Sequence, residues 1–273
     1  MPLCYNDGFN HMNASQSVYA GIDVGASRTK AIIIDADRQI IGRAVIKSGT
    51  DFEEASCRCL DQALDMAGLT VAYITNAMST GYGRNNVAIA RDSKTEISCH
   101  ARGCFHYFSH AISIIDIGGQ DNKIIKLDAS GKRLSFKMNR KCAAGTGAFL
   151  EEMSLRLDIP LEKLDGLARQ SQSMVELGSF CTVFSATEVL EKIRQGKNVS
   201  DIVKGLFHSV IKRVMEMDSL TEQVVMTGGV VAHNDYLVQM TSEMIERPVL
   251  VPEYPQLTGA LGAALFAMEY SDK

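Results

Sequence analysis

From Val18 onward the apolar positions fall in short runs. VYAGIDVG, TKAIIIDAD and QIIGRAVIKSG are rich in β-branched residues and separated by Gly and Asp turns, which predicts a meander of two or three strands. The spacing then changes. Over 51–66 (DFEEASCRCLDQALDM) apolar residues recur at Phe52, Ala55, Cys59, Ala63 and Met66, predicting a helix with Asp51 as its N-cap. TVAYITNAMS reads as a strand, TEISCHARGCFHYF as a helix or turn, and HAISIIDIGG as a buried strand ending in Gly-Gly. SIIDIGGQDNKIIKLD and GKRLSFKMN then repeat the opening plan of strand, glycine turn, strand and strand. After Cys142 the pattern is helical, through AAGTGAFLEEMSLRL and the segment 185–217. A strand (QVVMTGGVV), a helix, a strand (VLVP) and a final helix close the chain.

GIDVG (21–25) and IDIGG (115–119) each set an Asp at the end of an apolar strand just before a glycine turn. The two aspartates, Asp23 and Asp116, lie 93 residues apart. A repeat of that length means two similar lobes, not a solenoid. The expected organisation is a flexible tail at 1–17, an N-terminal lobe at 18–110 and a C-terminal lobe at 111–273. The C-terminal helix at 257–270 is a candidate to pack back on the first lobe. The 273 residues suit two lobes better than one large domain.

Composition narrows the classes. With 46% apolar and 22% charged residues the chain is an ordinary globular one, not a disordered or collagenous one. The net charge of −4 gives no broad basic face for nucleic acid. No apolar run approaches the roughly 18–20 residues of a membrane span, and the polar first 18 residues hold no signal-peptide core, so a cytoplasmic location is expected. Seven cysteines, an odd number, then call for thiols, metal ligands or packing rather than disulfides. None forms a CxxC pair, and a single cysteine is more often a small buried hydrophobe than a ligand.

A glycine turn after a strand lets backbone N–H groups approach an anion with no side chain in the way. A strand-end Asp beside it suits a phosphate-bound divalent cation, held directly or through water. Two such turns, one from each lobe, fit a nucleotide's phosphates, and a third at Met226–Gly229 fits the nucleoside portion. The P-loop pattern GxxxxGK[ST] is absent, and the dinucleotide fingerprint GxGxxG is missing after the first strand. Nucleotide binding without hydride chemistry is the expectation.

These segments resemble a known superfamily. GIDVGASRTK, IDIGGQDNK, MTGGV and TGALGAA are similar to the phosphate-1, phosphate-2, adenosine and connecting motifs of actin, sugar kinases and acetate kinase. STGYGR (79–84), EISCHARG (96–103), KCAAGTGAFLE (141–151) and FCTVFSATEV (180–189) narrow the resemblance to one family, the activator ATPases (component A) of 2-hydroxyacyl-CoA dehydratases, which includes the ATPase subunits of benzoyl-CoA reductase. The resemblance runs from Val18 to the C-terminus. It implies an α/β fold of duplicated actin/sugar-kinase-like (ribonuclease H-like) lobes with a nucleotide cleft between them. It further implies a homodimer bridged by one 4Fe–4S cluster, with Cys142 and Cys181 supplied by each subunit. Four thiolates usually hold such a cluster, and a two-fold axis turns two cysteines into four. Each cysteine is expected to precede a helix, with Ala143–Gly147 and Thr182–Ser185 as first turns, where free N–H groups suit an anionic cluster.

The implied activity is ATP hydrolysis coupled to low-potential one-electron transfer. Reduced ferredoxin or flavodoxin is the donor, and an iron–sulfur dehydratase or reductase is the acceptor. Asp23 and Asp116 are the candidates for Mg²⁺ through water. Gly25, Ala26, Ser27, Gly118 and Gly119 are the phosphate contacts, Gly228 and Gly229 lie near adenosine, and Gln120 is a candidate to orient the attacking water. Lys30 reads equally as a phosphate ligand or a strand-edge surface charge. His100 reads as a structural hydrogen-bonding residue ahead of a ligand or base. Relatives commonly carry Ser or Thr directly after the first glycine; here Ala26 stands there and Ser27 follows, which puts the hydrolysis rate in question more than binding. Three other readings compete: a small-molecule kinase of the superfamily, which gives Cys142 and Cys181 no task; a fixed subunit of a larger benzoyl-CoA reductase-type complex; and a scaffold that binds ATP without turnover.

Overall fold

The chain divides into two compact units, Met1–Phe108 with Leu257–Lys273, and Ser109–Gln256. The computed structural model describes residues 17–178, 181–220 and 223–271; the expected tail, save Ser17, lies outside these, as does Cys4.

The first unit opens with β1 (Val18–Val24), β2 (Arg28–Ile34) and β3 (Ile40–Lys47), the meander its alternation predicts. Helix α1 (Phe52–Ala67) follows, then β4 (Ile74–Thr80), β5 (Asp92–Ser93) and α2 (Glu96–Tyr107). The sheet order is β3-β2-β1-β4-β5, antiparallel within the meander and parallel from β1 to β5. The Asp51 carboxylate accepts from the Glu54 N–H at 2.9 Å, a cap worth about 1 kcal/mol, and Gly68 ends α1 in the left-handed region. Its buried stripe of Ala55, Cys59, Leu60, Ala63 and Leu64 covers β2 and β3. One expectation shortens: residues 71–73 form a 3-10 turn, and the strand begins only at Ile74. Tyr73 is exposed there, so the alternation that read as strand is not matched by burial.

The second unit runs β6 (Ile112–Ile117), β7 (Asn122–Leu127) and β8 (Arg133–Asn139), then α3 (Gly147–Leu157), α4 (Leu164–Gln170), α5 (Thr182–Arg194) and α6 (Val199–Met215). Strand β9 (Gln223–Thr227), α7 (Gly229–Ala232), α8 (Asp235–Met244) and β10 (Val249–Leu250) complete it. Its sheet order, β8-β7-β6-β9-β10, reproduces the first strand for strand. Ile115, Ile117, Ile124, Val224 and Met226 face Phe149, Met153, Leu206, Phe207 and Val210 in its core. Each such side chain contributes about 1.5–3 kcal/mol over an exposed one. The helical segment expected over 185–217 is divided into two helices, because Gly196 interrupts it with φ of 72°. The chain returns to the first unit as α9 (Thr258–Ser271), buried along most of its length against α2, β1 and β4.

Candidate functional site

The two glycine turns are built alike. In the first unit Asp23, 1% exposed, ends β1, and the register of the meander sets it opposite Lys30. Lys30 Nζ donates to Asp23 Oδ2 at 3.0 Å, while Asp23 Oδ1 is buried without a hydrogen-bond partner. An acceptor in that position is costly unless something completes it. Gly81, in the STGYGR loop, has φ of 90°, and a Cβ there would lie 2.5 Å from Asp23 Oδ1, so only glycine fits. The turn itself, residues 25–27, is pinned from behind. Ser48 Oγ donates to the Gly25 carbonyl at 2.6 Å, Ser48 N–H to the Ser27 carbonyl at 3.1 Å, and Gly83 N–H to the Val24 carbonyl at 2.8 Å. Ala26 and Ser27 stand exposed, and among the described residues their amides make no hydrogen bond.

In the second unit Asp116 ends β6 opposite Lys123, in the same register. Lys123 is 1% exposed and donates to Asp116 Oδ2 at 2.9 Å and to Asp121 Oδ1 at 2.7 Å. Lys123 escaped the reading of the sequence, although the signal was there. Asp23 to Lys30 and Asp116 to Lys123 are both steps of seven residues in the duplicated segments, so superposing the copies finds the second lysine. Lys30 is the ion-pair partner of the strand-end aspartate and so is more than a strand-edge surface charge. Gly118 and Gly119 form the turn, with Gln120 exposed at its tip. The third turn packs beside it. Gly228 has φ of 104° and donates to the Pro255 carbonyl at 2.9 Å; a Cβ on it would fall 2.3 Å from the Ile117 carbonyl oxygen, while Gly229 starts α7.

Hydrogen bonds join this second turn to the segment after Cys142. The Gly147 and Ala148 N–H groups, which open α3, donate to the Gly118 and Gly119 carbonyls at 2.9 and 2.8 Å. Asn122, buried on β7, donates from Nδ2 to the Gly145 carbonyl at 2.7 Å. Asn139, at the end of β8, closes the other side. Its Nδ2 donates to the Cys142 carbonyl at 3.1 Å, and its Oδ1 accepts from the Cys142 N–H at 3.3 Å.

Cys142 is exposed and Cys181 partly exposed. Cys181 is the N-cap of α5, as its sequence context suggests. Cys142 is different from expectation: residues 143–146 are a turn, and α3 starts only at Gly147. Gly145 at φ of 85° breaks the helical path there. The residues after the two cysteines, Ala143 and Thr182, line one open groove of about 480 Å³ between α3 and α5, with Ala148, Glu152, Val183 and Leu190. Two other thiols lie at the opposite extreme. Burial pushes Cys59 and Cys99 up to about 12, so both stay protonated, poor ligands. His100 is buried and meets Thr258 Oγ1 through Nδ1 at 2.9 Å, with Glu96 3.8 Å from Nε2, a hydrogen-bonded link from α2 to α9.

Two glycine turns on duplicated sheets, each with a strand-end Asp–Lys pair, define an ATPase of the actin and sugar-kinase fold. The chain belongs to the BadF/BadG/BcrA/BcrD ATPase family, which it matches over residues 20–267. It is 41% identical to the activator of lactoyl-CoA dehydratase of Anaerotignum propionicum over 93% of this chain and 98% of that one. Among solved structures it superposes on component A of (R)-2-hydroxyglutaryl-CoA dehydratase from Acidaminococcus fermentans with a TM-score of 0.90 at 34% identity, covering 94% of this chain and 100% of that one. The activator of 2-hydroxyisocaproyl-CoA dehydratase from Clostridium difficile, solved with bound ADPNP, gives 0.87 at 38% identity over 93% and 96%. A ROK-family glucokinase from Streptomyces griseus, at 13% identity and a TM-score of 0.57 over 93% of this chain and 100% of that one, shares the fold alone. No helix among the described residues is long and apolar enough to cross a membrane.

Proposed function

We propose that this ATPase activates a 2-hydroxyacyl-CoA dehydratase by passing it single low-potential electrons, drawn from reduced ferredoxin or flavodoxin. The observation that carries the reading is the hydrogen-bonded path from the Gly118–Gly119 turn through α3 and Gly145 to the segment of Cys142. A plain kinase has no use for such a path, nor for two accessible cysteines whose following residues, Ala143 and Thr182, line one groove.

The donor set fits a 4Fe–4S cluster. Cys142 and Cys181 are accessible, while Cys59 and Cys99 are buried and protonated. Two ligands per chain require a second copy, hence a homodimer with one cluster. When bound, the cluster supplies a one-electron store. The chain's own residues do the rest. The amides of Ala26 and Ser27 in the first unit and of Gly119 in the second bind the ATP phosphates, with Gly118, whose own N–H donates to the Asp121 carbonyl at 2.9 Å, shaping the second turn; Gly228 and Gly229 bind near adenosine. Asp23 Oδ1, buried and unsatisfied, fits a water of the Mg²⁺ shell, and Asp116 fills the same role in the second copy of the motif. Lys30 and Lys123 hold these aspartates in place. Gln120 orients the attacking water, and the exposed Ser27 hydroxyl stands in for the one that Ala26 lacks. ATP drives a transition only through contacts that differ between two states. A phosphate that shifts the Gly118–Gly119 turn draws α3 and the Cys142 segment with it.

The test is anaerobic reconstitution with a 2-hydroxyacyl-CoA dehydratase and reduced ferredoxin. Dehydratase turnover with ATP, and none with ADPNP, is the expected result. ATP hydrolysis that leaves the dehydratase inert would defeat the proposal.

A further inference from the structure

The two units repeat each other, but their third strands do not have the same surroundings. Strand β3 is covered by α1; no helix packs on β8 to a comparable extent among the described residues. Residues Arg133–Lys137 are all exposed, including Leu134 at 64% and Phe136 at 47%. The overall charge of −4 hides what this strand carries. From residue 129 to 150 there is no acidic residue, and Lys132, Arg133, Lys137, Arg140 and Lys141 are all exposed. None of the five forms a salt bridge among the described residues, though Lys132 and Lys137 act on Asp128 and Asp218 at longer range. The Arg133 guanidinium lies over the Phe136 ring, 5.3 Å from its centroid. The cationic strip ends at Cys142, which Asn139 of the same strand holds at its backbone.

A sheet edge left bare by the repeat, cationic over its whole length and carrying two apolar anchors, is a small electrostatic docking surface. We infer that β8 and the 140–141 segment receive the acidic face of the small one-electron carrier that loads this protein; this rests on the electron-donor reading above. The chemistry favours that occupant. Encounters between redox proteins are brief, bury little area and rely on charge steering, which accelerates association by about 10- to 1,000-fold at low salt. A long-lived partner would need a wider apolar surface than two side chains offer. Docking here brings the carrier beside the Cys142 end of the strand, where it gives up one electron to the centre that Cys142 and Cys181 hold, with no bond formed and no proton moved.

The test compares the full-length wild type with the double variant Arg133→Glu, Lys137→Glu. Binding of an oxidised acidic ferredoxin is followed by fluorescence anisotropy, with basic cytochrome c as the control; cluster reduction is followed by stopped flow with reduced ferredoxin and, separately, dithionite. The inference predicts ferredoxin binding that weakens at least about tenfold in the variant at an ionic strength of about 0.02 M, and converges with wild type near 0.5 M. Dithionite reduces both proteins alike. Unchanged ferredoxin binding in the variant, or equal binding of cytochrome c by wild type, overturns the inference and leaves the electron-donor reading intact. A variant that turns monomeric assigns β8 to the second copy and also overturns it. A wild type with no dithionite-reducible centre defeats the electron-donor reading itself, and the inference with it.

Discussion

Replacing Lys123 with Met removes one charge and little volume from a deeply enclosed ionic group of the second unit. Its ammonium sits 2.9 Å from Asp116 and 2.7 Å from Asp121, and the side chains are 1%, 4% and 22% exposed respectively. At an effective dielectric constant of about 20, each contact attracts by roughly 6 kcal/mol. Much of that offsets the water stripped from three charged groups. Deleting one partner is therefore the informative change, since it strands a buried carboxylate at a cost of about 3–5 kcal/mol. Lys30 is the internal control. It is 17% exposed and 3.0 Å from an Asp23 as buried as Asp116, so its loss also strands a carboxylate, but the vacated position opens to solvent. With water replacing the ammonium, Lys30→Met should cost about 1–3 kcal/mol. Urea denaturation without nucleotide measures both, and amide exchange in β6 and β7 identifies the unit that opens. Adding Asp116→Asn to Lys123→Met should recover part of the loss, because the stranded charge is gone. A Lys123→Met protein within about 1 kcal/mol of wild type, or a Lys30→Met protein that loses more, would refute this reasoning.

Two further outcomes follow from the geometry. Asn122→Ala leaves the Gly145 carbonyl unpaired inside the protein, a local cost of about 1–3 kcal/mol, and loosens the link between the Gly118–Gly119 turn and the Cys142 segment. ATP should still bind within about threefold of wild-type affinity, a difference under 1 kcal/mol. The ATP-dependent change in Cys142 alkylation rate in the apo-protein should vanish; its persistence would show that the link carries nothing. The buried thiols predict an alkaline limit. Cys59 and Cys99 rise from 9.0 to about 12, so the folded chain holds these protons more tightly than the unfolded one. Their contribution is complete below pH 9 and is lost between pH 9 and 12. Cys59→Ala should flatten the decline in stability across that window, and an unchanged slope would contradict the assignment.

Much of the fold is legible because the chain says it twice. The period-two runs after Val18 and before Gly118 specify matching meanders, and Asp51 and Gly68 mark the ends of α1 by cap chemistry alone. Both glycine turns and Cys181 at the head of α5 are readable for the same local reasons. What escaped depends on how neighbouring strands and turns are brought together, which no single segment shows. Lys123 looks like a surface charge in KIIKL until the register of β6 and β7 sets it against Asp116. The turn after Cys142 reads as the first turn of the helix that follows it, yet Gly145 takes positive φ while Asn122, a strand away, holds its carbonyl. The bare edge of β8 is invisible in the alternation, since the sequence does not announce that no helix will cover it.

The central claim is that Cys142 and Cys181 of two copies hold one redox centre under the control of ATP. Iron quantification of the anaerobically purified protein tests it most directly, with a dithionite-reduced EPR spectrum and Cys142→Ser as the comparison. About four irons per two chains and a reduced-cluster signal, both lost in Cys142→Ser, are the predicted result. An iron-free wild type that still binds ATP under strict anaerobiosis would contradict it.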